Sequence, residues 1–187
     1  MIDFIKRKKI TILTIIFLIS IIFIVVSTQK DLPITVESTI KPISTFQTLT
    51  LGKTNRNDTV KEIGIPQKEY VEGDKLYLEY LTSNPNYNDQ FVFNNDKLNL
   101  IKKIVTIKDE IRVIDMENKY GASKNIMYGP GSSIGLYLYI YPEKGVAYLG
   151  HKVSGYLNEI WYFEPTDINN FKSQFASNYS DTLNETQ

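Results

Sequence analysis

The sequence predicts an α+β protein with an N-terminal transmembrane helix, then two tandem helix-plus-antiparallel-sheet units and a C-terminal helix. Residues 10–27 form an uncharged run directly after four basic residues, which is typical of a membrane span. Further along the chain, Tyr, Ile and Leu alternate with polar residues in short segments that Gly, Pro and Asn separate. This pattern favours short antiparallel strands.

The apolar run of residues 10–27 predicts a signal anchor. As a helix it rises about 27 Å, close to the ~30 Å hydrocarbon core. The basic segment, residues 1–9, is expected to stay in the cytoplasm, so the remainder is extracytoplasmic in a single-pass cell membrane protein. The alternative is a signal peptide that is cleaved before Thr28. Both interpretations export residues 28–187.

The exported part divides by composition. Residues 28–47 contain Pro, Ser and Thr without helical periodicity and predict an extended stalk. Residues 48–176 predict the α+β domain, with repeat-like units over about 49–105 and 106–176. Residues 177–187 are polar and predict a disordered tail.

In the first unit, Thr54 or Asn57 is expected to cap a short helix that ends at Gly64. Strands are predicted over residues 76–81, 91–93 and 98–105. In the second unit the predicted helix covers residues 109–119 and Gly121 closes it. Its predicted strands cover residues 124–128, 134–141, 145–149 and 156–163, and a last helix starts at Pro165 and Thr166.

The two units share a local sequence alignment. Each unit contains a group of five residues that ends a predicted helix just before a sheet. The group in the first unit is Glu62, Ile63, Gly64, Ile65 and Pro66. It aligns with the group in the second unit, which is Lys119, Tyr120, Gly121, Ala122 and Ser123. The alignment predicts a repeat, and the alternative is a coincidence between two ordinary helix ends.

The composition excludes several classes of protein. The chain has no cysteine, so disulfides, cysteine metal clusters and thiol nucleophiles are ruled out. After residue 29 there are 17 Lys and Arg against 20 Asp and Glu, and this net charge of −3 argues against a nucleic-acid partner. No cofactor and no metal are expected.

The first unit contains a string of Gly52, Thr54, Val60, Gly64 and Pro66, and after an aromatic strand it continues with Phe91, Val92, Phe93, Asn94, Asn95, Asp96, Lys97 and Leu98. This string resembles the outer-membrane assembly lipoproteins of the SmpA/OmlA type. The doubled arrangement resembles the β-lactamase inhibitory proteins, which are tandem helix-plus-sheet units. The resemblance implies a non-catalytic exported domain that binds another protein with its sheet face or its loops.

Catalytic candidates are sparse. His151 is the single histidine, and we interpret it as a turn residue rather than as a zinc ligand or a triad base. Glu159 and Glu164 could contribute to a glycosidase carboxylate pair, and Asp109 and Glu110 are expected in the first turn of a helix. Residues 129–133 resemble a phosphate loop only superficially, and a hairpin connection is the expected role.

Three tyrosines are the candidate binding residues. In a strand, Tyr137, Tyr139 and Tyr141 share one face, and Leu136, Leu138 and Ile140 lie on the other. An exposed tyrosine row would suit a protein interface. The alternative is that a neighbouring element covers the row.

The sequence therefore predicts a membrane-anchored, extracytoplasmic, non-catalytic protein-binding or scaffold domain at a prokaryotic cell envelope. Its expected partners are another envelope or surface protein and, through residues 10–27, the lipid bilayer. The alternatives are a carboxylate enzyme that acts on cell-wall or surface glycans, and a small-ligand or peptide-binding module.

Overall fold

The computed structural model describes residues 45–46 and 48–183. No helix within these two ranges is long and apolar enough to cross a membrane. The predicted span, residues 10–27, lies outside them, as do the predicted stalk except residues 45–46 and the last four residues of the predicted tail.

The described chain begins with a small hairpin of two strands, β1 (Thr45–Phe46) and β2 (Leu49–Thr50). Helix α1 (Arg56–Ile63) precedes four strands: β3 (Lys68–Glu72), β4 (Lys75–Leu81), β5 (Asn88–Asn94) and β6 (Lys97–Ile104). Helix α2 (Val113–Tyr120) precedes four more: β7 (Asn125–Tyr128), β8 (Leu136–Tyr141), β9 (Val146–His151) and β10 (Leu157–Phe163). Helix α3 (Ile168–Phe175) follows the last strand.

Strands β3 to β10 form one antiparallel sheet of eight strands in the order β3-β4-β5-β6-β10-β9-β8-β7. The last strand of each four-stranded meander meets the other at the middle of this sheet, where Ile104 lies opposite Glu159. Because helices accompany a sheet that is antiparallel throughout, the predicted α+β class is confirmed.

Both faces of the sheet carry core residues because helices lie against each of them. One face packs Leu78, Phe91 and Ile160 with side chains from α1 and α2, among them Val60 and Met116. The other face packs Trp161, Phe163 and Leu138 with Phe171 of α3. Alternating side chains of the central strands therefore serve two cores.

The first helix has a different cap from those expected. The side chain of Asn55, rather than that of Thr54 or Asn57, accepts a hydrogen bond from the Asp58 N–H at 2.9 Å. The hydroxyl of Thr54 is instead engaged one turn earlier, where it accepts from the Thr50 N–H at 2.7 Å.

The predicted helix over residues 109–119 starts later than expected. A short 3₁₀ turn covers Ile107–Asp109, and the Asp109 carboxylate accepts bonds from the Thr106 N–H and hydroxyl at 2.6 and 2.9 Å. Glu110 then takes a left-handed conformation with φ 53°, which ends the turn before α2 begins at Val113. The expected placement of Asp109 and Glu110 in the first turn of a helix is therefore wrong.

The remaining differences concern strands and termini. Strand β3 was not predicted because its sequence, Lys-Glu-Tyr-Val-Glu, has charges on both faces. Within the predicted stalk, Thr45–Phe46 pairs with Leu49–Thr50. Within the predicted tail, Ser180 and Tyr128 exchange two backbone hydrogen bonds of 2.8 and 2.9 Å, so this part of the tail is paired to the sheet.

Candidate functional site

The tyrosine row predicted as a binding face is buried. Tyr137, Tyr139 and Tyr141 are 9%, 9% and 4% exposed, and they belong to the core on the α1 and α2 face. Leu138 and Ile140 do lie on the opposite face, but that face is also a core. Of the two alternatives, the covered row is therefore the one found, and the hypothesis of an exposed binding row is wrong, because β8 lies inside a sheet that is covered on both sides.

Helix α2 and its C-terminal glycine cover the row. The Tyr141 hydroxyl donates to the Gly121 carbonyl at 2.6 Å, and its ring lies 5.4 Å from that of Tyr120. Tyr139 stacks on Tyr148 of β9 with ring centroids 4.9 Å apart. Burial raises the pKa of Tyr139 and of Tyr141 above the ordinary tyrosine value.

His151 is the last residue of strand β9 rather than a residue of the turn, although its side chain serves the turn that follows. Its Nδ1 accepts hydrogen bonds from the backbone N–H groups of Val153 and Ser154 at 3.3 and 3.1 Å. An acceptor at Nδ1 places the proton of a neutral imidazole on Nε2. The ring thus stabilises the turn between β9 and β10 and presents a hydrogen-bond donor on its other side.

Glu159 and Glu164 do not converge. Glu159 lies in β10 and accepts from the Trp161 indole N–H at 2.6 Å. Glu164 follows the other end of the same strand, about 16 Å away at ~3.3 Å per residue. A glycosidase pair needs a separation of about 5 to 9.5 Å between its two carboxylates, so these two acids do not form one.

Residues 129–133 lie between the antiparallel strands β7 and β8, as expected of a hairpin connection.

The sheet has two different ends. At one end β4, β6, β7 and β9 finish, and β3, β5, β8 and β10 start, as the strand registers show. We call this the loop end; its connections are residues 64–67, 82–87, 105–112, 129–135 and 152–156. The opposite end, here the turn end, has shorter connections such as those at Gly73 and Asn95.

Exposed large apolar side chains concentrate at the loop end. The described residues contain nine such side chains, and six of them lie in its connections or at the strand end beside them. These six are Ile65, Leu81, Tyr87, Ile107, Ile134 and Val153. Clusters of exposed apolar residues on a soluble domain mark interaction surfaces, whereas isolated ones need no explanation.

A cleft of about 570 Å³ opens among these connections. Its lining includes the buried side chains Val105 and Leu157, and also Leu136. Two exposed residues, Ile107 and Ile134, are 78% and 67% accessible at its margin. The volume lies within the range of about 300 to 1,000 Å³ of ordinary ligand sites.

A second cleft of about 490 Å³ lies at the same end, between α1 and the first strands. Ile65 and Leu81 border it, and Asp89 lines it. The Asp89 carboxylate accepts from the Ile104 N–H at 2.7 Å and from Lys103 Nζ at 3.1 Å, so it fixes the ends of β5 and β6. This second cleft is therefore bordered mainly by apolar side chains, and the carboxylate of its buried acid, Asp89, is already hydrogen-bonded within the domain.

Sequence reasoning missed the loop end. Ile107, Ile134 and Val153 stand singly between polar neighbours, so they contribute to no periodic pattern. One feature of the sequence does point to the loop end: large apolar residues recur in the segments between strands, where polar residues are usual.

Within the described residues, no three His, Asp or Glu side chains are grouped as metal ligands would be.

No family model matches the chain, and no curated protein matches it. Among solved structures, a DUF4309 family protein, YjgB from Bacillus subtilis, is similar with a TM-score of 0.48 and 14% sequence identity. The similarity covers 63% of this chain and 82% of that one.

Proposed function

We propose that this protein is a membrane-anchored, extracytoplasmic, non-catalytic domain of a prokaryotic cell envelope, and that it binds another envelope protein with the loop end of its sheet. Residues 10–27 anchor it, and Lys6, Arg7, Lys8 and Lys9 hold its N-terminus in the cytoplasm. The two helix-plus-meander units support the loops through their shared sheet, and the resemblance to the tandem inhibitory proteins implies binding of another protein by the sheet face or the loops.

The observation that carries this proposal is the concentration of six exposed apolar residues at one end of the sheet. Burial of one such side chain in an interface contributes about 1.5 to 3 kcal/mol, so several of them together can offset the cost of association, which is about 4 to 15 kcal/mol. The helix-covered faces offer no comparable surface, because Tyr137, Tyr139 and Tyr141 are buried.

The topology is tested in intact cells that make the full-length chain with a C-terminal epitope. We expect the epitope in the membrane fraction at full length, and external protease should remove it. A cytoplasmic marker protein must survive the same treatment. A soluble product that begins near Thr28 would contradict the anchor, and a protected epitope would contradict the orientation.

The binding surface is tested by capture of membrane proteins with the wild type and with variants. Ile107→Ser with Ile134→Ser should abolish capture of a specific protein and leave the melting temperature nearly unchanged. Val71→Ser is the matched control, because Val71 is 68% exposed on strand β3, away from the loop connections. Equal loss in all variants, or capture by none, would contradict the proposed surface.

A further inference from the structure

The cleft at the loop end has a one-sided charge. Its lining includes Lys108 and His151 and contains no Asp or Glu. Lys108 is joined by a second cation, Arg112, which lies beside the cleft and donates to the hydroxyl of the lining residue Tyr156 at 2.9 Å. The guanidinium of Arg112 also lies 4.5 Å from the centre of that ring.

Neither Lys108 nor the Arg112 guanidinium forms an ion pair in the part of the chain that the structure describes, and the Asp115 carboxylate accepts a hydrogen bond from the Arg112 backbone N–H at 2.8 Å. The ion pairs found there are Arg56 with Glu69, Lys103 with Asp89, and Lys172 with Asp181. Asp109 follows Lys108, but its carboxylate is bound to the Thr106 N–H and hydroxyl. Glu110 is exposed and does not line the cleft.

The cationic side chains and the imidazole at the cleft are hydrogen-bond donors, whereas its Ser, Thr and Asn side chains can both donate and accept. Because His151 Nδ1 accepts two backbone N–H groups, its neutral ring can only donate, through Nε2. Lysine and arginine also donate and never accept. An occupant of this cleft therefore needs apolar surface for Ile107 and Ile134, and acceptor oxygens with negative charge for the surrounding groups.

We propose that the cleft binds a peptide segment of the partner protein in which a bulky apolar side chain stands next to carboxylates. The apolar side chain lies against Ile107, Ile134 and Leu157, and the carboxylates lie near Lys108 and the imidazole Nε2–H. This inference rests on the proposed function, since it names the chemistry that the loop end recognises.

The test uses the full-length protein in lipid nanodiscs and fluorescein-labelled peptides read by fluorescence anisotropy. Three peptides share the core Gly-Ser-Leu-Leu and continue with Asp-Asp-Ser, Asn-Asn-Ser or Lys-Lys-Ser. We expect the acidic peptide to bind at least about tenfold more tightly than the lysine peptide, and its affinity to fall between 50 and 300 mM salt.

Variants at the cleft show which side chains contact the peptide. Lys108→Gln should weaken the acidic peptide about fivefold and leave the asparagine peptide unaffected. Ile134→Ser should weaken both about tenfold or more, because the buried apolar area is lost. Lys144→Gln is the matched control, since Lys144 lies at the turn end; it should change neither affinity. Thermal melts of all variants confirm that they are folded.

Three outcomes would overturn the inference. The lysine peptide could bind as tightly as the acidic one. Decanoate, an apolar carboxylate without a peptide backbone, could bind the cleft in preference to the peptides. No peptide could bind while Ile107→Ser with Ile134→Ser still abolishes capture of the partner protein; this last result rejects the peptide chemistry and leaves the proposed binding surface intact.

Discussion

Gly64 and Gly121 hold the same unusual backbone conformation at equivalent points of the two units. Gly64 has φ 107° and ψ −171°, and Gly121 has φ 86° and ψ 172°. Each follows an eight-residue helix and donates its N–H to a helix carbonyl, that of Val60 at 2.9 Å or that of Glu117 at 2.8 Å. Each then leads into the first strand of a meander.

Replacement of either glycine should destabilise the domain through the backbone alone, since an added Cβ would meet no atom within 4 Å. Only glycine populates this region readily, so Gly64→Asn and Gly121→Asn should each lower the free energy of unfolding by about 1 to 3 kcal/mol. Gly73→Asn is the control: φ 61° suits asparagine, and a Cβ there is also unobstructed. Equal loss in all three would contradict this account.

The helix ends were predictable from sequence for this physical reason, because glycine after an amphipathic segment provides the backbone freedom that a helix stop needs. Strand alternation likewise assigned Tyr137 and Leu138 to opposite faces. Alternation does not say what covers each face, and that depends on where α2 and α3 pack. Ile107 and Ile134 form no periodic pattern, so their meeting at one cleft depends on the order of strands in the sheet.

Burial of the tyrosine row predicts large stability effects. Tyr139→Ser should cost about 3 kcal/mol or more, since it removes a ring that stacks on Tyr148 and leaves a cavity. Tyr87→Ser is the control because Tyr87 is 58% exposed, and its effect should stay within about 0.5 kcal/mol. Chemical denaturation gives both values. A small loss for Tyr139→Ser would show that the row is not part of the core.

Two neighbouring hydroxyls should behave in opposite ways. Tyr141→Phe removes the hydrogen bond to the Gly121 carbonyl and should cost about 1 kcal/mol. Within the described residues the buried Tyr148 hydroxyl makes no hydrogen bond of normal geometry, and burial, with a smaller contribution from the neighbouring Tyr141 hydroxyl, raises its pKa. Tyr148→Phe should therefore be neutral or stabilising. Thermal melts of the two variants distinguish them, and a larger loss for Tyr148→Phe would contradict the described packing.

Alkaline pH should destabilise the fold. Burial raises the pKa of Tyr70 and of Tyr179 to about 12, against about 10 in the unfolded chain. A raised tyrosine pKa means that the folded state keeps protons that the unfolded state loses, so stability is complete below pH 10 and falls as pH rises towards 12. Melting temperatures measured from pH 8 to 11 should show this decline.

The decline should be less steep in a variant with Tyr70→Phe and Tyr179→Phe, which lacks both ionisable groups. Absorbance at 295 nm reports tyrosinate directly, and the part of its rise that this variant lacks should coincide with unfolding of the wild type rather than precede it. Complete tyrosine ionisation in a domain that remains folded at pH 11 would contradict the burial of these rings.

Site-specific photo-crosslinking in intact cells shows directly whether the loop end contacts another envelope protein. A photoreactive benzoylphenylalanine is introduced at Ile107 or Ile134 at the loop end, and at Val71 or Lys97 as exposed controls elsewhere. We expect one discrete crosslinked protein from the two loop-end positions and none from the controls. Crosslinks from Val71 or Lys97 alone, or no crosslink from Ile107 and Ile134, would contradict it.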